Sequence, residues 1–251
     1  MVNELTISNV SVGYGKNSVV SDFTATPLSG GTITALLGPN AAGKSTLIKA
    51  ISGILRHTGE VEFRRDLETF SGNSLRRHIG YVPQDLPSSA ALHAFETVLI
   101  AARRATTDPE WSAAKTMTSL GIADLGHRYL GELSGGQRQL VGVAQALVTS
   151  PSIVVLDEPT SALDLRRQLF LLDYVRQWVA ETNAIGLIAI HDINLAARFA
   201  DSILVMKSGH PVAQGCPTEV LNPEVIKDVY GVHVDVFSHN DMHMVAPISV
   251  A

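Results

Sequence analysis

Two short stretches of this 251-residue chain carry residue types that can hold and cleave a polyphosphate. The first, Gly38-Pro39-Asn40-Ala41-Ala42-Gly43-Lys44-Ser45, fits GxxxxGK[ST]. Small residues let the main chain curl until its N–H groups point at phosphate oxygens. A lysine at the following helix start then reaches the β- and γ-phosphates, and the next hydroxyl is a Mg²⁺ ligand. The second, Ile153-Val154-Val155-Leu156-Asp157-Glu158, is an apolar run that ends in two acids. Asp157 would help hold Mg²⁺, and Glu158 would polarise water for attack on the γ-phosphate. Alone, two acids at a strand end read as a solvated terminus; beside a phosphate loop they read as the other half of a hydrolytic site.

Positioning these residues calls for a sheet. Thr32 to Leu37 leads into Gly38; His78 to Val82 leads, past Pro83, into Gln84; Ile153 to Leu156 leads into Asp157; Gly186 to Ile190 leads into His191. Each run is too short for a helix and continuously apolar, as strands buried on both faces of a parallel sheet are. Such sheets gather ligands at the carboxyl ends of their strands, so four runs deliver chemistry to one rim. Helical spacing follows the first run at Leu47, Ile48, Ile51 and Leu55. It precedes the third at Leu140, Val143, Ala144 and Leu147, within a helix predicted over 137–149 that stops before Pro151. Alternating Leu5, Ile7, Val10 and Val12, with Val61 and Phe63 later, predict a smaller antiparallel sheet. Residues 91 to about 130 read as mainly helical. The class is α/β, a phosphate-loop NTPase core with a mainly parallel sheet and an N-terminal antiparallel β subdomain. We expect one domain over 1–251, with a helical subdomain at about 88–150 inserted in a RecA-like core. His239 to Ala251 show no readable pattern.

Composition narrows the class. With 45% apolar residues the chain can bury a large core, and its formal net charge of -5 argues against a nucleic-acid binder that relies on a basic surface. Cys216 is the only cysteine, which rules out an internal disulfide framework and suits a reducing compartment. No apolar stretch reaches about 18 residues, and MVNELTISNV lacks the pattern of a secretory signal, so a cytoplasmic location is expected.

Leu133-Ser134-Gly135-Gly136-Gln137 opens the predicted 137–149 helix and makes a second glycine-rich helix start suited to anions. One nucleotide does not need two such cradles from one chain. Together with Lys44 and Asp157-Glu158, in this order, the chain over about residues 3 to 237 resembles the ATP-binding cassette family. The resemblance implies the ABC ATPase fold, ATP with Mg²⁺, and a site completed across a dimer by Ser134, Gly135, Gly136 and Gln137 of a second copy. It also implies that Thr46 joins the nucleotide contacts and that Tyr14 stacks on adenine. Gln84 would touch Mg²⁺ and the attacking water, His191 would contact the γ-phosphate, and Asp164 in Ser161-Ala162-Leu163-Asp164 would cross the dimer interface. Lys44, Gln84, Glu158 and His191 then form the catalytic set, and Ser45, Gln84 and Asp157 the Mg²⁺ ligands. One departure is Ala41, where the family commonly has Gly; a φ above zero there strains an L-residue.

The run His191 to Asp201, then Lys207-Ser208-Gly209-His210 and Val229-Tyr230-Gly231-Val232-His233-Val234, resembles the importer subgroup that handles ferric siderophores, haem and cobalamin. This implies a homodimer of ATPase subunits on two integral membrane permease subunits, indirectly a substrate-binding protein, and no nucleic acid. The subunit would lie peripherally at the cytoplasmic face of the cell (inner) membrane, docking through residues from Gln84 to about Arg104. Within that stretch at least two of Phe95, Val98 and Leu99 are expected in the core. An exporter subunit shares every motif. A soluble cassette ATPase of translation or repair usually carries two cassettes or a coiled-coil insertion, and a phosphate-loop kinase would leave Leu133–Gln137 and Asp164 without a purpose.

Overall fold

The computed structural model describes residues 2–86, 91–240 and 242–251. Its N-terminal half runs β1 (Asn3–Tyr14), β2 (Asn17–Ser29), β3 (Ile33–Leu37), α1 (Lys44–Ile51), β4 (Thr58–Arg65), β5 (Glu68–Ser71), α2 (Gly72–Arg76), β6 (Ile79–Val82), α3 (Ala94–Ala102) and α4 (Pro109–Ser119). The remainder runs α5 (Gly135–Leu147), β7 (Ile153–Asp157), α6 (Leu165–Thr182), β8 (Ile185–Ala189), α7 (Ile193–Phe199), β9 (Ser202–Lys207) and β10 (His210–Gly215). After these come α8 (Pro217–Val220), α9 (Pro223–Tyr230), β11 (Val232–His239) and β12 (Met242–Val250).

All four apolar runs form strands of one six-stranded sheet, ordered β10-β9-β3-β8-β7-β6 and parallel except for the antiparallel edge strand β10. Its central strands are buried on both faces, and their side chains divide with a period of two. Ile33, Ala35 and Leu37 of β3, with Val154 and Leu156 of β7, enter one core with α5 and α6. Leu36, Ile153 and Val155 enter the other, with Leu47, Ile48 and Ile51 of α1. The antiparallel sheet, ordered β2-β1-β4-β5, covers that second core by burying Leu5, Ile7, Val10, Val12, Val61 and Phe63. Leu5 pairs with Phe63 and Ile7 with Val61.

Several expectations need adjustment. Helix α1 stops at Ile51, so Leu55 packs on the core from outside it. Helix α5 spans Gly135–Leu147 where 137–149 was expected; it starts two residues early because Ser134 caps it by accepting the Gln137 N–H. Strands β9 and β10 extend the sheet beyond the four runs, and the end of the chain is a β11–β12 hairpin. From residue 91 to about 130 the chain is mainly helical, as expected, in α3, α4 and short 3-10 turns. Val98 is buried, whereas Phe95 and Leu99 are half-buried against the core. Residues 87–90, which fall within both the expected helical subdomain and the expected docking stretch, lie outside the described residues. Among the described residues no helix is long and apolar enough to cross a membrane.

Candidate nucleotide site

The loop between β3 and α1 has its shape set by its neighbours. Gly38 has φ 155°, and a Cβ on it would lie 2.3 Å from the Met206 carbonyl oxygen of β9. Only glycine lets the chain leave β3 this close to the next strand. The Gly209 N–H donates to the Ala42 carbonyl at 2.9 Å and ties the loop to the β9–β10 turn. Ala41 has φ 64°, so the strain expected of an L-residue at this position is present. Helix α1 then starts from Gly43, which has no side chain to cap it. Its first-turn N–H groups, from Lys44 to Thr46, therefore face the loop interior as an anion cradle.

Lys44 is 5% exposed. Its ammonium donates to the Gly38 carbonyl at 2.6 Å and the Pro39 carbonyl at 3.2 Å. Burial holds its pKa below the usual lysine value, and the opposing pull of Glu158 and Asp157 is weaker.

The two acids have different surroundings. Asp157, at the end of β7, accepts a hydrogen bond from Ser45 Oγ at 3.0 Å and is 1% exposed. Burial pushes its carboxyl up; the Ser45 hydrogen bond opposes this, and the neighbouring Glu158 charge adds to it. A buried carboxylate beside a hydroxyl, oxygens only, suits a hard cation such as Mg²⁺ that shares its shell with phosphates. Glu158 has φ 53°, a left-handed turn that its N–H secures by donating to the Ala189 carbonyl at 3.2 Å. Strained residues of this kind cost about 1–3 kcal/mol and concentrate at functional sites. Gln84 Nε2 donates to Glu158 Oε2 at 2.7 Å, and His191 Nε2 is 2.5 Å from Oε1. The segments after β6, β7 and β8 thus bring Gln84, Glu158 and His191 into contact at one rim.

Lys44, Ser45, Thr46, Gln84, Glu158 and His191 line a cavity of about 630 Å³ together with Asn40 to Gly43. The other expected residues stand apart from it. Tyr14, at the end of β1, is 51% exposed. Ser134 and Gln137 exchange side-chain and backbone hydrogen bonds at the start of α5. Asp164 caps α6 by accepting the Arg167 N–H at 2.9 Å. A Cβ on Gly136 would lie 2.5 Å from the Ala162 carbonyl oxygen, so the Ser134–Gln137 and Ser161–Asp164 segments abut. Two neighbours of the site carry no motif: Val19, which lines the cavity, and Tyr81 of β6. The buried Tyr81 hydroxyl has no hydrogen-bond partner among the described residues, and burial, then the Asp157 charge, pushes it up to about 12.

Residues 24–161, more than half of the chain, match the family model for ABC transporters. The hemin import ATP-binding protein of Photobacterium damselae subsp. damselae is 36% identical over 94% of this chain and 92% of its own length. The iron(3+)-hydroxamate import ATP-binding protein of Bacillus subtilis (strain 168) is 32% identical over 94% of this chain and 90% of its own. Among solved structures, a metal-chelate type ABC transporter in an inward-facing conformation superposes with a TM-score of 0.82 at 25% identity, covering 99% of this chain and 98% of that one. The loop, the paired acids and these relatives agree: the chain belongs to the ABC transporter family and is one of its ATP-binding, ATP-hydrolysing proteins.

Proposed function

We propose that this protein is the ATPase subunit of an importer for a metal chelate of the ferric siderophore, haem or cobalamin type. The observation that carries the cargo class is the similarity, along more than nine tenths of the chain, to import ATP-binding proteins for hemin and for iron(3+)-hydroxamate. The subunit itself does not touch the cargo.

In this reading the amides of the Gly38–Thr46 loop receive the phosphates, and Lys44 exchanges the Gly38 and Pro39 carbonyls for β- and γ-phosphate oxygens. The ammonium is already desolvated, which strengthens its attraction to the incoming charge. Ser45, Asp157 and Gln84 would hold Mg²⁺, which when bound neutralises charge on the β- and γ-oxygens. Glu158 accepts the proton of the attacking water, and His191 steadies the γ-phosphate. Tyr14, exposed at the end of β1, offers its ring to adenine; stacking needs no base-specific hydrogen bond. A second copy supplies Ser134 to Gln137 over the γ-phosphate, with Asp164 at the crossing. Two permease subunits dock on the surface from Gln84 to about Arg104, at the cytoplasmic face of the membrane, and a substrate-binding protein acts through them.

The test is reconstitution with the permease and measurement of phosphate release as ligand-loaded binding proteins are added. Stimulation by one loaded with a ferric chelate, haem or cobalamin supports the importer. Failure of all three defeats the cargo assignment and leaves the ATPase intact.

A further inference from the structure

The residues that touch Glu158 are themselves held by elements outside the site, and one of these connections reaches the end of the chain. His191 leads directly into α7, whose N-terminus is capped by Asp192, the acceptor for the N–H groups of Asn194 at 2.8 Å and Leu195 at 3.0 Å. The Asn194 side chain turns away from the nucleotide site. Its Nδ2 donates to the Val245 carbonyl at 3.2 Å, and its Oδ1 accepts the Val245 N–H at 2.8 Å. One amide side chain thus satisfies both backbone groups of a β12 residue 51 positions away, as a neighbouring strand would. Val245 and Val234 of the hairpin are buried in the same core as Leu195, Ala196 and Phe199 of α7. The His243 ring meets the Leu221 carbonyl at 2.9 Å, and the Ala251 N–H donates to the Gly231 carbonyl, so the hairpin is fastened at both ends. It lies beyond the residues that the family model matches.

We propose that the β11–β12 hairpin, through the Asn194–Val245 pair, fixes the α7 start and thereby the reach of His191 to the γ-phosphate side of Glu158, making Asn194 a positioning residue for hydrolysis. This rests on the role for His191 given above. The physical reason is leverage. The His191 side chain is 46% exposed, and among the described residues its one polar contact is to Glu158. Its position is therefore set by the backbone on either side of it. On the β8 side the Ile190 N–H donates to the Leu36 carbonyl. On the other side the backbone is anchored by α7, and α7 by the hairpin.

The experiment compares Asn194→Leu, which keeps the side-chain size and removes both hydrogen bonds, with Asn194→Asp, which keeps the acceptor for the Val245 N–H. Misplacement by about 1 Å costs up to about 100-fold in rate, so kcat per folded molecule should fall about 3- to 30-fold in the leucine variant and less in the aspartate variant. KM for MgATP should stay the same, because the phosphate loop is untouched. In protein labelled at its histidine rings, the His191 signals, assigned by their loss in His191→Ala, should move. In single-turnover reactions, Asn194→Leu should add no further loss to His191→Ala. If the leucine variant does not fold, the aspartate variant carries the same measurements. A normal kcat with a lowered melting temperature, or a loss that adds fully to that of His191→Ala, would overturn the proposal and leave Asn194 as packing alone. Normal turnover in His191→Ala would instead overturn the reading of the site on which the proposal stands.

Discussion

Glu158 Oε1 lies 2.5 Å from His191 Nε2 while its other oxygen accepts from Gln84 Nε2 at 2.7 Å. Both carboxylate oxygens are thus engaged by residues that follow neighbouring strands, and a third contact, the Glu158 N–H to the Ala189 carbonyl, holds the backbone at a strained φ of 53°. Each oxygen keeps a second lone pair that can accept from water, so in the reading proposed above Gln84 and His191 orient the Glu158 carboxylate without blocking it.

Glu158→Gln should retain the fold, since an amide of the same size still offers Oε1 to the His191 ring. It should still bind ATP, because Lys44 and the loop amides are unchanged. General-base catalysis contributes about 10²- to 10⁴-fold, so phosphate release should fall by that factor. Turnover close to that of the unaltered protein, measured on a sample shown to bind nucleotide, would remove Glu158 from the proposed role.

Lys44→Ala should act at the binding step as well. A hydrogen bond to a charged partner contributes about 1.5–3 kcal/mol, so affinity for MgATP should drop by about 10- to 100-fold. Titration calorimetry reads this directly. The Gly38 and Pro39 carbonyls lose their donor in the variant, but the Lys44 side chain that is removed lines the cavity, so water can enter the space it leaves and replace it. Folding should therefore be little affected, and unchanged affinity would show that the ammonium does not reach the phosphates.

The parts of the site legible in the sequence are those whose chemistry fixes residue type at short spacing. Gly38 to Ser45 and Asp157-Glu158 are local patterns, and the strands before them are continuous apolar runs. Ile203 to Met206 is equally apolar, yet it ends in Lys-Ser-Gly rather than in a reactive group, so nothing marked it as a strand of the same sheet. The α5 start is set by the Ser134 hydroxyl rather than by apolar spacing, which shifts it two residues from the periodic estimate. The terminal hairpin was illegible for a different reason: of its described side chains only Val234 and Val245 are buried, and its docking depends on Asn194, distant in the chain. Contacts of that kind leave no local pattern.

Ala41 tests how much strain the phosphate loop carries. At φ 64° an alanine costs about 1–2 kcal/mol relative to its relaxed conformation. Replacing it with glycine removes that cost but returns about 0.4–1 kcal/mol through the freer unfolded chain. The first effect wins by a small margin, so Ala41→Gly should raise the melting temperature by about 1–2 °C, given about 2–4 °C per kcal/mol for a protein of this size. Ala42→Gly is the control: Ala42 is buried and not at positive φ, so its loss should lower the melting temperature. A fall in both variants would mean that the loop holds Ala41 without strain.

His78 gives the stability of the protein a pH dependence of calculable sign. Its ring packs 4.2 Å from Phe70 and 5.4 Å from Phe63, between the antiparallel sheet and the start of β6, which leads to Gln84. Burial holds its pKa below 6.5; Arg65 and Arg77 act in the same direction, and Glu68 against them. The unfolded chain therefore binds the proton at a higher pH than the folded one. Stability is complete above about pH 6.5 and declines as the pH falls from there towards the folded value. His78→Phe keeps the aromatic packing and removes the titration. The melting temperature of the unaltered protein should fall more steeply between about pH 7 and 5 than that of the variant, while carboxylates common to both cancel in the difference. Parallel melting curves across that range would show that the ring titrates alike in the folded and unfolded chain.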